Sequence, residues 1–227
     1  MSPPVGATGI QTCSDPGNGG DDGGARFRRF RVGAAFGAFS STLKLSAHDV
    51  DIAQRAVTAT LDVRVSDRWT LQGGLGAVLA GSLATEGRHF DVKPGWLFSV
   101  GAGYRILDGQ GAAPFLLGSV SYAMSFSHTQ EAGLPDAPRA SLTTGDVRLG
   151  LAVGKTFFEV LSPYVVARVF GGPVSWKLGD ETLTGGDKYH YQVGAGLALV
   201  IARRIDAFVE GVPLGERRYS FGVGFSF

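Results

Sequence analysis

The closing stretch of the chain, Ile205 to Phe227, sorts into two chemical classes at alternate positions. Tyr219, Phe221, Val223, Phe225 and Phe227 are large and apolar, whereas Arg218, Ser220, Gly222, Gly224 and Ser226 are small or polar. Successive side chains of a β-strand point to opposite faces of its sheet, so this period of two predicts a strand with one greasy and one polar face. At the edge of a soluble sheet such an aromatic strand is a template for aggregation. It is well placed where its apolar face meets lipid and its backbone pairs around a closed ring, because the bilayer interior offers unpaired N–H and C=O groups no partner.

The same pattern recurs in about ten segments, each near the length that a tilted membrane-crossing strand requires. The first, Phe27 to Ser40, places Phe30, Val32, Ala34, Phe36 and Ala38 on one face. In the second, Ala53 to Ser66, Val57, Ala59, Leu61, Val63 and Val65 oppose Thr58, Thr60, Asp62 and Arg64. The third opens at Trp69; the fourth runs from Lys93 to Ile106, the fifth from Ala113 to Phe126 and the sixth from Leu142 to Lys155. The seventh, Pro163 to Phe170, is apolar on both faces apart from Arg168, and the eighth and ninth are Lys188 to Ile201 and Ile205 to Val212. The connectors alternate as well. Ser41 to Ile52, Gly81 to Val92, Ser127 to Ser141 and Gly171 to Asp187 read as long polar loops, separated by short turns such as Ser66 to Arg68 and Ala202 to Arg204. That parity predicts a barrel with long loops at one rim and tight turns at the other. Aromatic residues fall near both rims: Phe30, Trp69, Tyr104, Phe115, Phe157, Phe158 and Phe227 at the turn end, and Trp96, Phe126, Tyr189 and Tyr219 at the loop end.

Composition agrees: 35 glycines and an 11% aromatic share accompany the absence of any ~20-residue apolar run. A formal net charge of +1 argues against nucleic acid as a partner. Met1 to Ala25, rich in Pro, Gly and Asp, reads as a disordered tail ahead of a barrel over residues 26–227. It lacks the charged start and apolar centre of a secretory signal, and its lone Cys13 can form no intramolecular disulfide.

With its alternating strands and terminal Phe227, the chain resembles the bacterial outer-membrane β-barrels of the small OmpA/OmpW-like kind, which characteristically end in phenylalanine. The resemblance implies an all-β, transmembrane, antiparallel up-and-down β-barrel of about ten strands, with eight or twelve as alternatives, in the bacterial outer membrane. It also implies that Tyr219, Phe221, Val223, Phe225 and Phe227 form the signal read by the barrel-assembly machinery. The implied partners are that machinery, outer-membrane lipid and, for an open lumen, small solutes.

Eight charged residues fall on inward positions: Asp62, Arg64, Arg105, Asp146, Arg148, Arg168, Asp206 and Glu210. Charges in a narrow lumen must pair or stay wet, so they form either a salt-bridged filling or the lining of a selective path. Some outer-membrane barrels are hydrolases: omptin proteases use an acidic pair with an Asp–His pair, and barrel lipid A deacylases use Ser, His and an acid. The candidates for such chemistry are His48, His89, His128 and His190, in or beside the long connectors. Ser127 directly precedes His128, and neighbouring strand residues face opposite ways, so those two cannot act as a nucleophile–base pair within a strand. The expectation is a non-enzymatic barrel, structural, adhesive or narrowly conducting, with no cofactor and no metal site. A rim hydrolase is the alternative. A soluble lipocalin-like carrier, the third, requires the large residues to face inward and the charges outward.

Overall fold

In the computed structural model the described residues are 29–46, 48–109, 113–134, 136–179, 181–201 and 204–227. The tail over residues 1–25, with Cys13, lies outside them. Among the described residues the strands are β1 (Phe30–Leu45), β2 (His48–Arg64), β3 (Trp69–Thr85), β4 (Arg88–Asp108), β5 (Phe115–Glu131), β6 (Ala140–Gly154), β7 (Leu161–Gly171), β8 (Val174–Leu178), β9 (Glu181–Asp187), β10 (Tyr191–Ile201), β11 (Ile205–Gly215) and β12 (Arg217–Ser226). All pair antiparallel. The wall runs β1 to β7 and then β10 to β12, and β12 closes on β1 from Arg31↔Ser226 to Ser40↔Arg217. It is therefore an up-and-down barrel with ten strands in its wall. The closing stretch forms β11 and β12, and Tyr219, Phe221, Val223, Phe225 and Phe227 are all exposed.

The apolar set faces outward throughout: Leu149, Leu151, Val209 and Phe221 are exposed, whereas Arg148 and Gln192 are buried. This excludes the lipocalin-like arrangement, in which those two sets exchange places. Aromatic pairs join neighbouring strands at both ends of the belt. Trp69 packs on Tyr104 at 4.8 Å at the turn end, and Trp96 stacks on Phe126 at 4.3 Å at the other. Phe115 departs from the expectation. It is buried inside the barrel rather than in the belt, because it has the opposite parity to its outward neighbour Leu116.

The connectors read as long polar loops are mostly strand. β10, β11 and β12 have 11, 11 and 10 residues, about what one tilted crossing needs, but β1 to β5 have 16 to 21 and continue past the belt. Ser41 to Ile52 is the top of the β1–β2 hairpin, and Gly81 to Val92 that of β3–β4, which turns on Glu86 and Gly87 at φ 44° and 78°. Within 171–187 lies the β8–β9 hairpin. β8 pairs with the top of β6, and β9 pairs with the top of β1. Above the belt, then, β1 to β6 with β8 and β9 close a second ring of eight strands.

The polarity of the strands inverts between the two rings. Along β1, odd positions point inward throughout, from Arg31 and Gly33 below to Leu43 and Leu45 above; even positions point outward, from Phe30 and Val32 below to Thr42 and Lys44 above. The lower ring is greasy outside, the upper greasy inside. Leu43, Leu45, Val50, Ile52, Leu83, Phe90, Val92, Leu142, Val174 and Trp176 make one buried core, as in a water-soluble barrel. Bulges at Arg55/Ala56, Lys93/Trp96 (holding Pro94) lie where ten strands give way to eight, and bulges bend and twist the strands that carry them.

Trp176 anchors the upper core. It meets Phe90 edge-on at 4.9 Å, and its Nε1 donates to Thr129 Oγ1 at 2.8 Å. Trp176→Ala is expected to cost about 3–5 kcal/mol locally. Limited proteolysis should then cut residues 171–190 while the lower barrel keeps its heat-modifiable gel mobility. Unchanged protease resistance would show that the hairpin is held by its backbone pairing alone.

Candidate functional site

The inward charges do not form one network. They form two ion clusters, a further bidentate pair and two rim contacts, each set by which strands carry the residues. Nearest the turn end, Arg31 of β1 lies between two carboxylates. Its Nη1 donates to Asp62 on β2 at 2.6 Å, and its Nε and Nη2 donate to Asp206 on β11 at 2.8 and 2.6 Å. To reach β11 the side chain must pass over β12. A Cβ on Gly224 would stand 2.2 Å from Arg31 Nη2, so this glycine lets the guanidinium lie flat across the closing strand.

Midway up, Arg148 of β6 holds the second cluster. Its Nε donates to Asp146 at 2.6 Å, Nη1 to Gln192 of β10 at 3.0 Å, and Nη2 to both oxygens of Glu216 at 3.1 and 3.0 Å. Gln192 donates in turn to Glu216 at 2.6 Å, and the guanidinium lies over the Phe170 ring at 4.7 Å. Nearby, Arg168 of β7 binds Glu210 of β11 through both Nη atoms at 2.7 and 2.8 Å, and Tyr164 donates its hydroxyl to the same carboxylate at 3.1 Å. Here the strand crossed is β10, and the bare position is Gly196, where a Cβ would stand 2.3 Å from the Tyr164 ring. Arg218 of β12 is buried beside these groups.

Of the sequence-derived set, Asp62 and Asp206 meet through Arg31, Asp146 meets Arg148, and Arg168 meets Glu210. Arg64 and Arg105 stand apart at the turn end, near Asp67 at 4.0 Å and Asp108 at 3.9 Å. Sequence reasoning missed Arg31, Glu216, Gln192 and Tyr164 as members. Arg31 and Tyr164 have the inward parity of their strands, which was a usable signal. Glu216 lies in the one-residue link between β11 and β12, where parity says nothing.

The interior is closely filled around the Arg148 cluster, whereas Ser119, at an inward position of β5 nearer the turn end, is exposed. Asp146 and Glu216 have no exposed surface, Arg148 has 4% and Gln192 1%, values that leave no water-sized space against them. Ala35, Phe115, Leu117, Tyr164, Val166 and Phe208 form an apolar cluster below, and the upper core stands above. Between the upper core and the ions sits Asp187 of β9, which Ser41 Oγ reaches at 3.3 Å; burial raises its carboxyl above the usual carboxylate range. On the outside of the upper ring the charges are wet pairs: Lys188 with Asp49 at 2.6 Å, whose hydrogen bond holds Asp49 below its ordinary value, and Arg88 with Glu131 at 2.8 Å. The histidines are scattered. His48 touches Glu86 across two hairpin tips, and His190 Nδ1 contacts the Phe170 carbonyl at 3.2 Å. Among the described residues no cluster of His, Cys, Asp and Glu has the arrangement of a metal site.

No protein-family model matches the chain, and no curated protein matches it. Solved structures do. The outer-membrane protease OmpT from Escherichia coli superposes with a TM-score of 0.55 at 8% identity, covering 88% of this chain and 97% of that one. The translocator domain of the autotransporter NalP from Neisseria meningitidis gives 0.51 at 14% identity, covering 89% and 90%. At such identities the likeness is one of fold. Together with the lipid-facing belt, it makes this chain a transmembrane β-barrel of the bacterial outer-membrane type.

Arg31→Leu leaves Asp62 and Asp206 buried without their cation and is expected to cost about 3–5 kcal/mol, read as a lower thermal transition in detergent. Adding Asp62→Asn and Asp206→Asn should restore most of that loss. If the triple variant is no more stable than Arg31→Leu, the arginine acts by packing over Gly224 and not by its charge.

Proposed function

We propose that this protein is a closed, non-enzymatic outer-membrane barrel that carries a rigid β-structure above the outer leaflet, in a structural or adhesive role. One observation supports this most: midway up, the Arg148 cluster is fully buried, and a hydrophobic core stands directly above it. A selective path needs charged groups that face water. Here, apart from Arg64 and Arg105 at the turn end, they face each other, and the strands that rise beyond the membrane enclose a core of the kind that holds a soluble domain together. The exposed hairpin tips and wet ion pairs of the upper ring supply a stable surface for contact with molecules outside the cell. Reconstituted in a planar bilayer, the barrel is expected to give no discrete ion current at moderate voltage. Steady unit conductance, altered in size by Arg148→Ala, would sink the closed-barrel reading in favour of a channel.

The proposal includes the absence of catalysis. A hydrolase needs a nucleophile or activated water, a base within hydrogen-bond reach and a group that orients the base. Glu86 is placed to orient His48, but the described contacts bring no hydroxyl or thiol to that ring, and His190 meets a backbone carbonyl. OmpT is a protease, but the likeness to it is one of fold and carries no activity with it. The refolded barrel is expected to leave both peptides and lipid A intact. Hydrolysis by the wild type that disappears in His48→Ala or His190→Ala would establish an enzyme instead.

A further inference from the structure

The outer surface carries a groove along the seam where the barrel closes. It begins in the apolar belt as a depression of about 200 Å³ beside Phe36, Ala38, Tyr219 and Phe221. Past Ala38 and Tyr219 it widens to about 590 Å³, floored by Ser40, Ala53, Ala80 and Ser82 and bounded by Arg55 and Arg217. Sharing Ser40, Ala53, Ser82 and Arg217, a third portion of about 610 Å³ climbs to Thr42, Tyr189 and Tyr191. The groove is thus apolar at its membrane end, cationic at the membrane boundary and rich in hydroxyls above it.

The two arginines have matched positions. Arg55 of β2 stands opposite Ala38 of β1, and Arg217 of β12 stands opposite Ser40 of the same strand. They flank β1 two strand spacings apart, roughly 10 Å. Both are exposed, and among the described residues neither has an ion-pair or hydrogen-bond partner. Some other outward cations do have one, as Lys188 has Asp49 and Lys93 has Asp91. The carboxylate in the groove, Asp51, accepts a hydrogen bond from Thr42 at 2.7 Å. Two uncompensated guanidiniums where lipid tails end are complementary to an anion that sits at headgroup depth. Guanidinium pairs with phosphate through two parallel N–H···O bonds, and the low dielectric beside the tails strengthens that pairing. The floor between them consists of small side chains, which leaves room for a headgroup to approach the sheet.

We propose that this groove binds a phosphorylated glycolipid of the outer leaflet. Its phosphate groups lie at Arg55 and Arg217, an acyl chain packs along Tyr219 and Phe36, and its sugars run up past Ser40, Thr42 and Tyr189. The site depends on the strand-extended end facing outward, and it is independent of whether the lumen conducts.

Native mass spectrometry of the refolded barrel in neutral detergent tests this, with diphosphorylated lipid A, phosphatidylglycerol and phosphatidylcholine offered at equal concentration. Lipid A should be retained at least tenfold more than phosphatidylcholine and several-fold more than phosphatidylglycerol. In Arg55→Ala/Arg217→Ala its retention should fall about tenfold, with heat-modifiable mobility unchanged because both side chains lie on the surface. Millimolar inorganic phosphate should not compete, since the acyl contact is then missing. Ser40→Glu, which sets a carboxylate between the arginines, should reproduce the loss. Equal lipid A retention by wild type and double variant overturns the proposal. Equal retention of all three lipids also overturns it, as does competition by free phosphate. A lipid-free dimer lost in the double variant would assign the groove to a second copy of the chain and overturn it too.

Discussion

Closure of the wall is the constraint on which everything else depends. In hydrocarbon each strand edge would strand a row of backbone donors and acceptors, so β12 must pair with β1 over its whole length. That seam joins strands far apart in sequence, and its register is not set by a short hairpin. Arg31 fixes it from inside. One guanidinium ties β1 to β2 on one side and, over Gly224, to β11 on the other. A slip of one residue would turn Arg31 into the lipid and Val32 into the ions, and a slip of two would part the guanidinium from Asp206.

The same device occurs a second time. Where long side chains must bridge alternate strands, the strand between them is bare: β12 at Gly224 beneath Arg31, and β10 at Gly196 beneath Tyr164, beside the Arg168–Glu210 pair. Glycines in these strands therefore act as flooring for long polar side chains. Buried ion pairs of this kind add little net stability, because desolvation offsets most of their attraction. What they add is selectivity for one arrangement of the strands.

Much of the lower barrel was legible in the sequence. A period of two with large apolar residues on one face survives in every crossing strand, because lipid and lumen impose opposite demands on adjacent positions. The eight charges chosen by parity all face inward. The partners were less legible, because an ion pair across a barrel joins strands through the shear of the wall, which no local pattern reports. So Arg148 meets Glu216 in a link, and Arg31, inside the first strand segment, meets Asp206 from the other end of the chain. The upper ring was hidden for a different reason. Its strands keep the parity of the lower ones but exchange the chemistry of their faces, so Leu43, Val50, Leu83 and Phe90 look like stray apolar residues in polar loops.

That inversion also explains the shape of the rim. A strand that leaves the membrane must trade its greasy outer face for a polar one, and it then needs a new interior to bury apolar side chains. Ten strands enclose a lumen wide enough to need ions and bulky polar groups as filling; eight enclose one that Trp176, Phe90 and a set of aliphatic side chains fill alone. Reaching eight requires that some strands stop at the membrane. β7, β10, β11 and β12 do so, and the β8–β9 hairpin bridges the gap above them. The cost of that narrowing is a low rim beside the seam. The edge of β1 has no strand partner between Ser40 and Leu43, where Lys188 N alone donates to Thr42 O, and this is where the groove opens.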